Sequence, residues 1–241
     1  MSYDYRFQHL KTGIIMDDMR FGKSSLKAGN EFPEFNLATV TGNSIGKTDF
    51  AGTKPMLLIF GSASCPMTVS TIPVLKRLYK EFGADVEFVT LYVREAHPGE
   101  YIPQPQTAEE KHKHAFDFQS DYELPWTVAV DDIDGRLHQV LDPKPNAAFL
   151  MGSDGKIAFR SLWAGDETAL RAALQAISGG EKPSKPQSTA MFGPISRGIG
   201  VIDQVLAAAG PRAQREMWFA APPLAIMAKL VSLVRSIFQR S

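Results

Sequence analysis

The chain has 241 residues, enough for one hydrophobic core with a smaller appendage, and its apolar and charged fractions are those of an ordinary globular protein. Lysine and arginine together number 26, as do aspartate and glutamate, so charge gives no reason to expect a nucleic-acid-binding protein. A single cysteine excludes an intrachain disulfide and any zinc site made of four cysteines.

The first residues of the chain contain scattered charges and lack the apolar run of a secretory signal peptide. No stretch approaches about 18 consecutive apolar residues, so we expect no transmembrane helix. We therefore expect a cytoplasmic protein whose free thiol stays reduced. Residues 1–27 show no sustained periodicity and are assigned to an N-terminal extension.

Beyond this extension, apolar runs alternate with helical periodicity in a pattern typical of an α/β domain over residues 28–178. An opening hairpin surrounds a Thr-Gly-Asn turn, and strand, helix and strand then follow in the order of a right-handed parallel crossover. Later come a polar helix, a short strand, a hairpin and a closing helix. The predicted elements after the opening hairpin are Pro55–Phe60, a helix from Cys65 to Gly83, Val86–Val93, Ala108–Gln119, Trp126–Val130, Ala147–Met151 with Lys156–Ser161, and Glu167–Ile177.

Residues 179–194 are rich in glycine, proline and serine and are predicted to be a linker. Residues 195–241 are predicted to form an amphipathic helical extension of two or three pieces. Residues 181–241 contain 8 basic and 3 acidic side chains, which predicts docking on an acidic body or an anionic partner. The last helix would pack against the domain or against a second copy in a homodimer. Alternatively, it would bind peripherally to a membrane surface, with Lys229, Arg235 and Arg240 contributing positive charge.

Cys65 is the strongest candidate for chemistry, because it follows a buried strand and stands at the start of a helix. Unpaired N–H groups at a helix N-terminus favour the reactive thiolate, although a lone cysteine is more often a small buried apolar residue. Cys65-Pro66-Met67-Thr68 has the spacing of a redox CxxC with threonine in the second place. An oxidised Cys65 would therefore need an external thiol, and Thr68 would either donate to the thiolate or cap the helix.

Three further residues complete the predicted site. Glu95 and His97 follow the second strand and would reach the same sheet edge as Cys65, with His97 moving protons and Glu95 orienting it; the alternative is a solvated loop pair. Pro145, directly before the hairpin, is a candidate cis-proline that would shape a substrate groove. No metal site is expected, since His112 and His114 diverge on their helix.

Two sequence motifs resemble those of a known family. Phe60-Gly61-Ser62-Ala63-Ser64-Cys65-Pro66 is similar to the selenocysteine motif NFGSxTUPPF of the iodothyronine deiodinases and their bacterial relatives, with Cys65 in the selenocysteine position. Arg94-Glu95-Ala96-His97 is similar to the start of the family's EAHxSDGW motif. The order of the predicted elements over Ala28–Ile177 resembles the thioredoxin superfamily, and the sequence departs from the deiodinase motifs at Ala63, at Thr68 and at Gly99-Glu100-Tyr101-Ile102.

The resemblance implies a thioredoxin fold, with a central mixed sheet flanked by helices and the helical extension added at the C-terminus. It implies a single-cysteine oxidoreductase without bound cofactor, in which Cys65 attacks a small-molecule electrophile and glutathione or thioredoxin restores it. Ser62, Ser64, Pro66, Thr68 and Pro145 would support the active site. A peroxiredoxin-type peroxidase is the alternative, with Ser62 in the place of the family's threonine and Arg160 as its arginine. A third possibility is a non-catalytic redoxin module whose extension, residues 195–241, binds a membrane or a protein assembly.

Overall fold

The computed structural model of the protein describes residues 4–238 and the side chains of residues 4–234. Its elements follow one another as predicted from Pro55 to Ile177, with ends displaced by a few residues. In chain order they are α1 (Thr12–Asp18), β1 (Asn36–Thr39), β2 (Ser44–Gly46), β3 (Met56–Gly61), α2 (Pro66–Phe82), β4 (Glu87–Tyr92), α3 (Ala108–Asp121), β5 (Thr127–Val130), α4 (Arg136–Leu141), β6 (Ala148–Met151), β7 (Ile157–Ser161), α5 (Glu167–Ser178), β8 (Gln187–Ser188), α6 (Phe192–Ile199), α7 (Ile202–Ala209), α8 (Pro211–Ala220) and α9 (Pro222–Phe238).

One mixed sheet holds the strands in the order β2-β1-β5-β4-β3-β6-β7-β8. Its centre is parallel, since β3 pairs with β4 and β4 pairs with β5 in the same direction. The predicted hairpin of β6 and β7 is antiparallel and joins the sheet through β3. Helices flank this sheet, which confirms the predicted α/β architecture with added C-terminal helices.

The continuous apolar run of β3 arises because both faces of the sheet are covered. Leu57 and Ile59 pack in a cluster with residues of α2, α3 and α5. Leu58 and Phe60 point to the other face, where they pack against residues of α4 and of the segment before β1. Alternate side chains of one strand therefore fill two cores, which fixes the position of the strand's carboxyl end.

The two ends of the chain pack against each other. Phe7, Leu10 and Ile14 join α7, α8 and α9 in a third apolar cluster. We call α1 and the four C-terminal helices α6–α9 the lid. Several features differ from expectation. The helices α1 and α4 were not predicted, the described part of the C-terminal tail contains four helices rather than two or three, and Gln187–Ser188, inside the expected linker, pair with β7. Among the described residues, no helix has both the length and the hydropathy needed to cross a membrane.

Candidate functional site: a thiol beneath a lid

Cys65 stands at the junction between β3 and α2, the place that the sequence predicts. It is the N-cap residue of α2, and Pro66 occupies the first helical position, where a missing N–H costs no helical hydrogen bond. The Cys65 N–H donates to the carbonyl of Ser62 (3.2 Å), which closes a tight turn after the strand. The thiol therefore lies at the end of a helix whose first N–H groups have no partner within the helix.

The turn before Cys65 is bound to the segment after β4 through a buried carboxylate. Glu95 Oε2 accepts from the Ser64 hydroxyl (2.6 Å) and the Ser64 N–H (3.0 Å), and Glu95 Oε1 accepts from the Tyr92 hydroxyl. The Ser64 oxygen in turn accepts from the His97 N–H (3.1 Å). The Ser62 hydroxyl accepts from the N–H of residue 96 (3.3 Å). The two sequence motifs thus form one hydrogen-bonded unit at the ends of two parallel strands.

The predicted contact between Glu95 and the His97 ring is wrong. The histidine ring beside Glu95 belongs to His114, whose Nδ1 lies 3.3 Å from Glu95 Oε1. His97 Nδ1 is buried and has no hydrogen-bond partner within residues 4–238. Burial lowers the pKa of His97 to about 4, although the charge of Glu95 opposes the shift. At neutral pH His97 is therefore an uncharged ring.

The thiol of Cys65 is closed off from solvent, with 1% of the residue exposed. Burial raises its pKa to about 11, and the Thr68 hydroxyl and the N–H groups of Thr68 and Met67 lower it by less. The Thr68 hydroxyl is buried and lacks a well-aligned hydrogen-bond partner in the described part of the chain. The predicted exposed thiolate is therefore wrong for this closed state, because loss of water outweighs the stabilisation that the helix N-terminus gives.

A cavity of about 70 Å³ lies against Cys65, between the domain and the lid. His97, Pro145 and Trp163 line it from the domain side, and Met217 and Leu224 line it from the lid. This volume is roughly half of the ~150 Å³ of an engineered protein cavity that binds benzene, so the closed cavity has room only for a few water-sized molecules. An aromatic substrate therefore needs the lid to move before it reaches the sulfur.

Several polar contacts hold the lid in place, and two sets of them involve α7 and α8. In the first set, the carbonyl of Ala209 accepts from the Tyr101 N–H (2.9 Å), and Arg212 Nη2 donates to the carbonyl of Gly99 (2.9 Å). In the second, Glu216 Oε2 accepts from the Leu10 N–H (2.8 Å). These contacts link α7 and α8 to the loop after the His97 segment and to the N-terminal extension.

Asp18 is a residue of this cavity that the sequence analysis missed. It lies at the end of α1 and lines the cavity together with Cys65 and His97. Burial raises the pKa of its carboxyl group to about 7, while Arg94 and Lys144 oppose the shift. No local signal identifies Asp18, because α1 is short and its position depends on the C-terminal helices.

The structure also shows the surroundings of three other residues that the sequence analysis named. Gly61 leaves room for Thr68, since a Cβ on Gly61 would lie 2.8 Å from the Thr68 methyl carbon. The peptide bond before Pro145 is trans, so the cis candidate is wrong, although Pro145 does line the cavity. Arg160 donates to Ser25 Oγ (2.7 Å) and to Gln187 Oε1, away from the thiol, so its proposed role as the site's arginine is wrong.

Comparisons with known proteins agree with the resemblance noted in the sequence. The sequence model of the iodothyronine deiodinase family matches residues 6–120. The type II iodothyronine deiodinase of Aquarana catesbeiana is 34% identical over 85 residues, covering 31% of this chain and 32% of that protein. The thyroxine 5-deiodinase of Rattus norvegicus is 33% identical over 73 residues, covering 26% of this chain and 24% of its own. The matches thus span about a third or less of the length of these curated relatives.

Two solved structures share the fold at low sequence identity. An uncharacterised conserved protein from Geobacillus kaustophilus superposes with a TM-score of 0.55 at 19% identity, covering 67% of this chain and 87% of its own. A candidate thiol:disulfide interchange protein, DsbE, from Chlorobium tepidum gives a TM-score of 0.52 at 21% identity, covering 64% of this chain and 100% of its own. These likenesses confirm the predicted thioredoxin-like fold.

Proposed function

We propose that this chain, which resembles the iodothyronine deiodinases in sequence and has a thioredoxin-like fold, is a thiol-dependent oxidoreductase with Cys65 as its nucleophile. The observation that carries the proposal is the buried unit of Glu95, Ser64 and the His97 backbone, which fixes the turn before Cys65. Burying a carboxylate costs free energy unless its oxygens accept hydrogen bonds from well-placed donors. Its presence beside a lone cysteine supports a site built for chemistry rather than a core cysteine.

The proposed reaction is reductive dehalogenation of a small aromatic molecule. The Cys65 thiolate attacks the halogen, the carbon–halogen bond breaks, and the ring carbon takes up a proton. Sulfur is oxidised to a sulfenyl halide and the carbon is reduced. One external thiol then displaces halide to form a mixed disulfide with Cys65, and a second thiol releases the external disulfide and the Cys65 thiol. Glutathione or thioredoxin supplies these two thiols in the proposal.

The lid decides when the thiolate forms. With the lid displaced, water and the N-terminus of α2 act on Cys65 together, and its pKa falls from about 11 toward or below the ordinary value for a cysteine. Asp18, whose pKa is raised to about 7, lines the same cavity and is in place to give a proton to the reduced carbon. Substrate binding and activation of the nucleophile therefore depend on the same movement.

The size of the closed cavity supports a second candidate, a thiol peroxidase. Hydrogen peroxide is close to water in size, and a cavity of about 70 Å³ has room for it with the lid in place. Cys65 would attack one oxygen, break the O–O bond and become a sulfenic acid, which two external thiols would return to the thiol with release of water.

Single-turnover reactions of the full chain separate these candidates. The chain is mixed with an iodinated phenol or with hydrogen peroxide, in the presence of glutathione, and halide release and the intact mass of the protein are followed. Dehalogenation predicts halide release and a glutathione adduct on Cys65, both absent in Cys65→Ser. Rapid sulfenic acid formation at low peroxide concentration without halide release would favour the peroxidase. A thiol inert to both would contradict the proposal and favour a non-catalytic module.

A further inference from the structure

The last helix of the lid presents most of its large apolar side chains to solvent, although Leu224 faces the Cys65 cavity. Ala225 and Ala228 are buried against the lid core. Ile226, Met227 and Leu230 are exposed, Leu230 by 58%. A helix that stabilises a soluble fold has the opposite arrangement, with its large apolar side chains inside. The outer face of α9 is therefore left for contact with something beyond the described chain.

The preceding helix extends the same surface. Trp218 and Phe219 of α8 are 44% and 80% exposed, whereas Met217 beside them lines the Cys65 cavity. Trp218 borders a groove with Ile226 and Leu230, which joins the exposed faces of α8 and α9 into one patch. We call this surface the outer apolar face; it consists of Trp218, Ile226, Leu230 and Leu233, which line the groove, and of the exposed Phe219, Met227 and Val234, which neighbour them along the two helices. Single exposed apolar residues are common on proteins, but a contiguous patch marks a contact surface.

The C-terminal part of the sequence has a surplus of positive charge. From residue 195 onward the sequence has six basic side chains and only two acidic ones, Asp203 and Glu216. Both acidic side chains already have partners, because Asp203 Oδ1 accepts from Lys229 (3.0 Å) and Glu216 accepts from the Leu10 N–H. Residues 195–241 have a net charge of +4, to which Arg215, exposed on α8, contributes.

We infer that the outer apolar face of α8 and α9 docks on an anionic phospholipid surface. Aromatic and aliphatic side chains on one face of a helix, with lysine and arginine beside them, have the composition of helices that lie in the membrane interface. Negative headgroups complement the basic surplus of residues 195–241. A second copy of the chain would cover the apolar side chains but would bring the same positive charges together, so charge favours lipid over self-association.

Vesicle binding tests this inference on the full chain. Co-sedimentation is measured with vesicles of phosphatidylcholine alone and with vesicles that also contain phosphatidylglycerol. We expect binding to the mixed vesicles that weakens as salt is added, and weak binding to the neutral ones. Phe219→Asp and Leu230→Asp are each expected to reduce the vesicle partition coefficient by about tenfold or more, because each removes one buried apolar side chain.

Phe116→Asp is the matched control, since Phe116 is an exposed aromatic on α3, outside the patch. It should leave vesicle binding unchanged. Trp218 gives an independent signal, because Trp126 and Trp163 are buried and a blue shift of emission on vesicle addition therefore reports on Trp218. Trp218→Phe should abolish that shift.

Three results would overturn the inference: equal binding to neutral vesicles, no loss of binding in Phe219→Asp and Leu230→Asp, or a concentration-dependent dimer in light scattering that these substitutions dissolve. The last result would assign the outer apolar face to a second copy. None of these measurements uses the chemistry of Cys65, so their outcome is separate from that of the proposed oxidoreductase.

Discussion

Glu95 accepts two hydrogen bonds from Ser64, one from its hydroxyl and one from its N–H, and this pair joins the ends of β3 and β4 beside Cys65. Because Glu95 is fully buried, the pair acts in a low dielectric, where a missing partner is costly. The carboxylate therefore positions the turn that holds the nucleophile, rather than the His97 ring.

Removing the Glu95 carboxylate should destabilise the turn that holds Cys65. We expect Glu95→Ala to lower the free energy of unfolding by about 2–4 kcal/mol, because it leaves the buried donors of Ser64 and Tyr92 unpaired. Glu95→Gln should cost less, since its amide oxygen still accepts from Ser64. Urea denaturation measures both, with the exposed Glu34→Ala as control. A loss for Glu95→Ala no larger than that of the control would contradict the role assigned to Glu95.

The close packing of Gly61 against Thr68 gives a second prediction. Gly61→Ala places a Cβ 2.8 Å from the Thr68 methyl carbon, and such overpacking costs about 1–3 kcal/mol. Thr68→Ser removes that methyl group. In the Thr68→Ser background, Gly61→Ala should therefore cost much less stability than it costs in the wild type. Additive losses in the double-variant cycle would show that the two positions do not meet.

The Asp18 carboxyl should make stability depend on pH. Its pKa is about 7 in the folded chain and about 3.9 in an unfolded one. A group whose pKa is raised on folding contributes stability below its unfolded pKa, and this contribution is lost as pH rises through the folded value. Asp18→Asn should therefore match the wild type in melting temperature near pH 4 and exceed it at pH 8. The exposed Asp134→Asn should show no such divergence, and parallel curves for Asp18→Asn would refute the buried carboxyl.

His97 should be neutral throughout the physiological range. Burial lowers its pKa to about 4, so its ring proton signals in NMR spectra should titrate near that pH and not near 6.5. His97→Gln identifies the resonance by its disappearance. A midpoint near 6.5 in the wild type would mean that the ring is open to water.

The sequence predicts the centre of this fold well and its two ends poorly. The run Pro55–Phe60 and the turn at Gly152–Gly155 contain local patterns that specify a buried strand and a hairpin wherever they occur. Burial of Cys65 depends instead on contacts between Leu10 and α8, which are about two hundred residues apart in the sequence. The strand Gln187–Ser188 is too short to show a period and exists because β7 offers it an edge.

The residues that line the cavity also differ in whether the sequence predicts them. Cys65 and His97 could be predicted because each follows a recognisable strand, so the parallel sheet brings their segments together. Asp18 could not, because its seven-residue helix has no stable position without the lid. The raised pKa of Cys65 could not be predicted for the same reason. The sequence shows that Cys65 begins a helix, but it does not show that the lid buries the thiol.

The alkylation rate of Cys65 by iodoacetamide as a function of pH tests most directly that the nucleophile lies closed beneath the lid. The wild type is compared with Arg212→Ala/Glu216→Ala, which removes lid contacts to Gly99 and Leu10, and with the exposed control pair Lys113→Ala/Asp117→Ala. The wild type and control should react slowly at pH 7.5, with an apparent pKa near 11. The lid variant should react about tenfold faster or more, since two lost hydrogen bonds favour opening by about 1–3 kcal/mol. Fast alkylation of the wild type with an apparent pKa at or below about 8.5, unchanged in the lid variant, would contradict the account.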